Sequence, residues 1–369
     1  MAKDPPKKKD SKRKTRRKTG KRAKDNQPRV SSGRVRFPEL SPRAYEHPSD
    51  RAALVTLRKV PGFDLVLRKL FGAIGERSLR LIHLASAARV GPDQFPDIWD
   101  DYLEACDILD IAEPPELYVT QTPFVNAGAV GVDRPFVVIN SAMISLLSRE
   151  ELLGILGHEL GHCISGHALY KTMLRLLVRL TILALQVPIG GLALYTIIAA
   201  LMEWDRKSEL SADRAALLVC QDPDVIYRTQ MKLAGGGMTD QMNMDAFMTQ
   251  AEEYEGHGTV IDGVMKVVNL MGRTHPFPVL RIREIRRWVD SGDYEAILSG
   301  DYERRNADDQ ASVYDEVLRS ASAYRENVEE SSDPLMVALR KMGEGLGSAG
   351  RSVAGWVRRD SADDEEDEE

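Results

Sequence analysis

His158-Glu159-Leu160-Gly161-His162 sets two imidazoles four residues apart, with a carboxylate beside the first. On an α-helix, residues i and i+4 share a face, so both rings can reach one metal ion. Glu159 is turned by about 100° around the axis, where it can take a proton from a metal-bound water. Two ligands and one base are what metal-assisted peptide hydrolysis needs. The bland alternative is a pair of core histidines satisfied by backbone carbonyls, and it has no use for the carboxylate.

Two histidines leave such a site incomplete, because a catalytic zinc takes a third protein ligand and keeps one position open for water. His167 follows His162 by five residues, whereas a third histidine on the same motif stands six residues on. A continued helix would also turn it about 180° from His158, so it is expected to cap or pack nearby and not to ligate. A carboxylate from a second helix is the other solution. Glu209-Leu210-Ser211-Ala212-Asp213-Arg214 lies in a helical stretch from Trp204 to Cys220 and sets Glu209 and Asp213 on one face. Glu209 can bind the metal, while Asp213 can hold the ring N–H of a ligating histidine. By spacing alone Glu203 and Asp205 compete for the role, and acidic residues four apart also occur on ordinary exposed faces.

The elements that must position these groups follow from the pattern around them. Ser148 and Glu151 form a capping box that starts the motif helix. Leu152, Leu153, Ile155, Leu156 and Leu160 make that helix apolar nearly all round, so it should be buried. Leu117-Tyr118-Val119, the run from Phe124 to Val132 and that from Pro135 to Ile139 are rich in β-branched and aromatic residues, with a turn at Asp133-Arg134-Pro135. Helical periodicity fills most of residues 50 to 111. The expectation is a mostly helical α+β fold with a small antiparallel sheet beside the motif helix. From Leu180 to Met202 no charged residue appears, which is long enough to raise a membrane span. A single crossing would separate the histidines from Glu209, and Pro188 with Gly190-Gly191 divides the run. An apolar helical hairpin over 171–203 fits better than two spans.

With 369 residues, 43% of them apolar, the chain can form one large domain or two smaller ones. Residues 1–49 read as a basic disordered tail and 50–325 as the domain that holds the site. Residues 326–369 read as an amphipathic segment, Leu335 to Trp356, followed by an acidic disordered tail. The oppositely charged ends make the net charge of −6 a poor guide. Cys106, Cys163 and Cys220 are too few and too scattered for a disulfide framework, which fits a reducing compartment. No apolar core of a secretory signal follows the basic run, so the expected place is cytoplasmic. Peripheral or partial insertion at the membrane's cytoplasmic face is expected through the hairpin and through attraction of the basic tail to anionic lipid. The basic run carries no interleaved aromatics, so nucleic acid is not indicated. Oligomeric state is left open.

The motif with His167, then Glu209 to Arg214, resembles the HtpX-like and CAAX-prenyl-protease-type zinc metallopeptidases of the gluzincin group. Val60 to Asp64, Asn126-Ala127, Ser148 to Leu153 and Thr274-His275-Pro276 carry the resemblance further, from about Asp50 to Tyr302. It implies one zinc ion held by His158, His162 and Glu209, with Glu159 as general base and acid. It also implies that the strand with Asn126, Ala127 and Gly128 edges the cleft, so that residues 126–130 pair with the backbone of a polypeptide substrate; core packing is the plain explanation of that strand's apolar character. His275 is a candidate for stabilising the oxyanion, or a structural histidine in a loop. Cleavage of damaged or membrane-associated proteins is the activity that the resemblance implies. The rival class is a non-catalytic scaffold, associated with membrane or nucleic acid through its tails, that retains a zinc site.

Overall fold

Ser148 begins the motif helix as anticipated. Its hydroxyl accepts from the Glu151 amide at 3.4 Å, and the Glu151 carboxylate accepts from the Ser148 amide at 2.7 Å, so two otherwise orphaned donors are satisfied. The structure, a computed structural model, describes residues 29–308 apart from 32, 59, 61–62, 64–65, 68, 71–75, 184–190 and 257–277. His275, the segment 334–357 and the acidic end therefore lie outside the described residues, as do the first 28 residues.

Strands β1 (Arg29–Ser31) and β2 (Arg34–Arg36) form a hairpin, followed by helices α1 (Pro48–Arg58) and α2 (Glu76–Ser86). Strand β3 (Ala88–Arg89), helix α3 (Pro96–Ile108) and strands β4 (Leu117–Thr120), β5 (Ala127–Val130) and β6 (Phe136–Asn140) come next. The rest is helical: α4 (Ser141–Leu146), α5 (Arg149–Ile164), α6 (His167–Leu183), α7 (Gly191–Cys220), α8 (Pro223–Gly235), α9 (Met244–Gly256), α10 (Pro278–Asp290) and α11 (Asp293–Leu298).

The main sheet has the order β3-β4-β6-β5. It is mixed, which corrects the antiparallel expectation. β5 and β6 are joined through residues 131–135 as an antiparallel hairpin, and β6 is the partner that lies beside β4, so β4 and β6 run parallel. Gly131, at φ +134°, makes the turn that the Asp133-Arg134-Pro135 sequence announced. A side chain there would also meet Pro135 at 2.8 Å.

Helix α5 is buried on all sides, between the sheet, α3 and α7. Gly157 and Gly161 let its backbone approach α7 closely. A Cβ at 157 would stand 2.8 Å from Val219, and one at 161 would stand 2.6 Å from the Ala215 methyl. Ala212, Ala215 and Ala216 supply small side chains on the facing side of α7. Helices α6 and α7 pack antiparallel: Tyr170, Met173 and Leu177 meet Ile197, Leu201 and Trp204, and Ala53, Leu57 and Phe63 complete the cluster. Within the apolar stretch, Ile197, Ile198 and Leu201 are buried against α6 and the residues after α1. No helix among the described residues is long and apolar enough to cross a membrane. The three cysteines are free thiols.

One boundary needs correction. Charge composition places residues up to 49 in a disordered tail, yet Phe37, Leu40 and Tyr45 are completely buried in the main core. Phe37 donates its amide to the Ile108 carbonyl at 3.0 Å, and its ring meets Tyr302 edge-on. Three apolar residues spread over nine positions show neither helical nor strand period, so this stretch looked like a continuation of the basic run.

Candidate metal centre

Helix α5 turns His158 and His162 towards one point, their rings nearly perpendicular with centroids 4.7 Å apart. From α7, the Glu209 carboxylate meets both. Its Oε2 is 3.4 Å from His158 Nε2, and its Oε1 is 3.2 Å from His162 Nε2. One ligand atom from each of the three residues fits within 4.8 Å of the others, and all three side chains are buried. A tetrahedral ion with bonds of about 2.05 Å separates its ligands by about 3.3 Å, so these spacings suit a small dication. His162 Nε2 is buried and has no hydrogen-bond partner, as expected of an atom reserved for coordination. The residues present fit the metal.

The other nitrogen of each ring is held as well. His158 Nδ1 is 3.1 Å from Asp213 Oδ1. His162 Nδ1 is 3.0 Å from His167 Nδ1, while His167 Nε2 is 3.0 Å from Asp50 Oδ2, which also accepts from the Ser211 hydroxyl at 2.6 Å. One proton assignment satisfies every pair: each ligating ring donates from Nδ1, and His167 passes the chain on to Asp50. That tautomer leaves both Nε2 atoms as metal-facing lone pairs.

Two buried cations brace the carboxylates. Arg281, from α10, donates from Nε to Asp213 Oδ2 at 2.7 Å, bonds Asp213 Oδ1 through Nη2, and lies 3.2 Å from Glu209 Oε2. Lys171, from α6, donates to Glu209 Oε1 at 2.7 Å and to Asp205 Oδ1 at 2.6 Å. Burial opposes the charge on each group, and the partners outweigh it. Asp213 is held below the usual carboxylate range by Arg281 and His158. Lys171 is raised by Asp205 and Glu209. The two rings are driven apart: burial would lower both, but Asp213 and Glu209 raise His158 to about 9, so a metal taking that ring as ligand displaces its Nε2 proton. On the other ring, the Lys171 charge adds to burial and keeps His162 well below the ordinary value.

The structure therefore gathers His158, His162, Glu209 and Asp213 at one place, with Glu159 fully buried in the same helix. Of the rivals to Glu209, Asp205 is taken by Lys171, and Glu203 pairs with Arg206. His167 packs behind His162, Nδ1 to Nδ1; the motif helix ends at Ile164 and α6 begins at His167, so the continued helix that its expected placement assumed is absent. Asn126, Ala127 and Gly128 fall at the start of β5, an edge strand among the described residues. Lys171, Arg281 and Asp50 were missed as parts of the site. Lys171 is four residues after His167, and Arg281 shares a helix face with Ile285 and Trp288, so a charge on an otherwise buried face was the signal.

Comparison with known proteins agrees with this geometry. Residues 92–289 match the model of peptidase family M48. The chain belongs to that family. Over 268 residues it is 36% identical to the plastoglobule-localized metallopeptidase 48 of Arabidopsis thaliana chloroplasts, covering 71% of this chain and 77% of the plant protein. It is also 28% identical to a protease HtpX homolog of Streptococcus uberis over 27% of this chain and 36% of that protein. Protease HtpX of Xylella fastidiosa is 25% identical over 34% of this chain and 47% of its own length. No solved structure matches. As an M48 metallopeptidase the chain is an enzyme that acts on polypeptides, and the His158–His162–Glu209 group is where its family's metal fits.

Proposed function

We propose that this M48 peptidase is a zinc-dependent endopeptidase, with His158, His162 and Glu209 as the protein ligands and Glu159 as general base. When bound, zinc supplies a Lewis acid that acidifies a water and polarises the scissile carbonyl. Glu159 removes a proton from that water and hands it to the leaving amine. Asp213 and His167 fix the orientation of the two imidazoles, and Arg281 and Lys171 hold the carboxylates in place. The peptide lies along β5, whose N-terminal approach is its accessible end: Asn126 is half-buried, and Phe124 and Val125 beside it are exposed.

The observation that carries this reading is the convergence of two imidazole Nε2 atoms and one carboxylate within 4.8 Å, with a carboxylate next in sequence to the first histidine. A zinc-binding scaffold has no role for Glu159. Glu159→Gln distinguishes the two: zinc content should stay at one per chain while peptide hydrolysis falls at least about a hundredfold. Unchanged hydrolysis would remove Glu159 from the mechanism, and zinc lost from Glu209→Gln but not from Asp205→Asn would identify the third ligand.

A lipid surface is the proposed place of work. The plant relative's name places that protein at plastoglobules, the first residues here are strongly basic, and Leu81, Ile82 and Leu84 stand exposed on α2.

A further inference from the structure

The outer edge of β5 is already claimed at one end. Asn140 donates its amide to the Asn126 carbonyl at 2.9 Å, and Gly128 and Val130 stand opposite Val138 and Phe136. In an antiparallel ladder this alternation turns the main-chain groups of residues 127, 129 and 131 away from β6. Helix α6 takes two of them. Thr172 Oγ1 accepts from the Gly131 amide at 3.1 Å, and Arg175 Nη1 donates to the Ala129 carbonyl at 3.0 Å. An added strand can therefore run along β5 only as far as Gly128, where it meets Arg175.

The guanidinium reaches this point because residue 128 has no side chain. A Cβ there would lie 2.6 Å from Arg175 Nη2 and 3.1 Å from Nη1. Arg175 is half-buried. Among the described residues its one hydrogen-bond partner is a neutral carbonyl, and no carboxylate pairs with it. It is one helical turn beyond Lys171 on the same face of α6, and Lys171 in turn holds Glu209. A partly desolvated cation at the edge of β5, one helical turn from the lysine that holds Glu209 and without a carboxylate partner among the described residues, complements an anionic group brought in from outside.

On the reading that the peptide lies along β5, we propose that Arg175 is a specificity-determining residue which receives an acidic side chain of the substrate, one that projects over Gly128 and Ala129. Aspartate or glutamate at that peptide position forms a charge-assisted pair with the guanidinium; lysine or arginine there is repelled. Gly128 belongs to the same device, since any larger residue would push the cation off the strand.

The test uses the full chain loaded with zinc. Cleavage sites in a denatured proteome are mapped for the unaltered protein, Arg175→Gln and Arg175→Glu, with zinc content and melting temperature followed alongside. An acidic residue should be enriched at one fixed position near the scissile bond, lost in Arg175→Gln and replaced by Lys or Arg in Arg175→Glu. Matched peptides differing only as Glu or Lys at that position should change their kcat/KM ratio by about tenfold or more between the unaltered protein and Arg175→Glu. Should the reversal variant fail to fold, Arg175→Gln alone decides. Affinity for the same peptide pair, read by fluorescence anisotropy on the Glu159→Gln background, reports the selectivity without turnover. A preference for Glu that persists in Arg175→Gln with zinc retained, or a chain indifferent to the charge at every position, overturns the assignment. Absent hydrolysis with intact charge selectivity in binding would instead sink the endopeptidase reading and leave Arg175 standing.

Discussion

Each imidazole of the metal pair is held through Nδ1, away from the metal-facing nitrogen, so the residues behind the ligands can be tested separately from the ligands. His167 supports His162 through Nδ1 at 3.0 Å. His167→Ala removes that acceptor while leaving His158, Glu209 and Glu159 in place, so zinc affinity should fall by about tenfold to a hundredfold in a chelator competition titration. Asp50 closes the same chain, and its acidity gives a pH signature. Burial would raise its pKa, but His167 and the Ser211 hydroxyl outweigh that and hold it below the ordinary value. The unfolded chain then binds the proton at higher pH than the native one. This contribution to stability is complete above the unfolded value of about 3.9 and is lost as pH falls through the lower native value. Asp50→Asn should flatten the acid limb of the urea-midpoint profile below about pH 4 and leave its slope near neutrality unchanged. At this scale the motif could be found from spacing, which also set Glu209 and Asp213 on one helix face; choosing Glu209 over Glu203 and Asp205 took the family resemblance. Asp50, Lys171 and Arg281 each meet their partners across a helix interface, so a charge on an otherwise buried face could mark Lys171 and Arg281 but not name the groups they hold.

Between elements, the decisive contact is the glycine-to-alanine seam of α5 and α7. Glu209 can stand 3.2–3.4 Å from the ring nitrogens because Gly157 and Gly161 let the two backbones approach. Gly161→Ala introduces a methyl 2.6 Å from the Ala215 Cβ, backed by Ala212 Cα at 3.5 Å. Both neighbours are short side chain or backbone, so the helices must separate. Overpacking of this kind costs about 1–3 kcal/mol, which should appear as a lower melting temperature together with weaker zinc binding. Restored binding in Gly161→Ala combined with Ala215→Gly would trace the loss to the seam. Stability lost with zinc affinity unchanged would mean that the spacing of α5 and α7 does not set the site. The periodicity of α5 showed that it would be buried, and its capping box showed where it starts. The small residues carried the closer information, but their meaning depends on a partner helix some fifty residues away. The sheet followed the same rule: its strands were recognisable by composition, while the parallel pairing of β4 with β6 came from the path of the chain.

Across the whole molecule, the site helices rest on a core that extends into the stretch after the basic residues. Phe37, Leu40 and Tyr45 have no exposed surface. Arg34 reaches the Cys220 carbonyl at 3.3 Å, while Gln221 bonds both the amide and the carbonyl of Val35, tying β2 to the end of α7. Tyr45 donates to or accepts from Ser165 at 3.1 Å, just past the motif helix. Complete burial of three such side chains contributes on the order of 5 kcal/mol, comparable to the whole margin of about 5–15 kcal/mol by which a domain stays folded. Two truncations separate tail from body. Removing residues 1–28 takes away none of these contacts and should leave the melting temperature and zinc stoichiometry unchanged. Removing residues 1–46 deletes all of them, and the product should be insoluble or melt far below the full chain, even though every metal ligand and Glu159 are intact. A stable, zinc-loaded product of the longer deletion would mean that α5 and α7 are held by the remaining core alone. The boundary would then return to where charge composition first placed it.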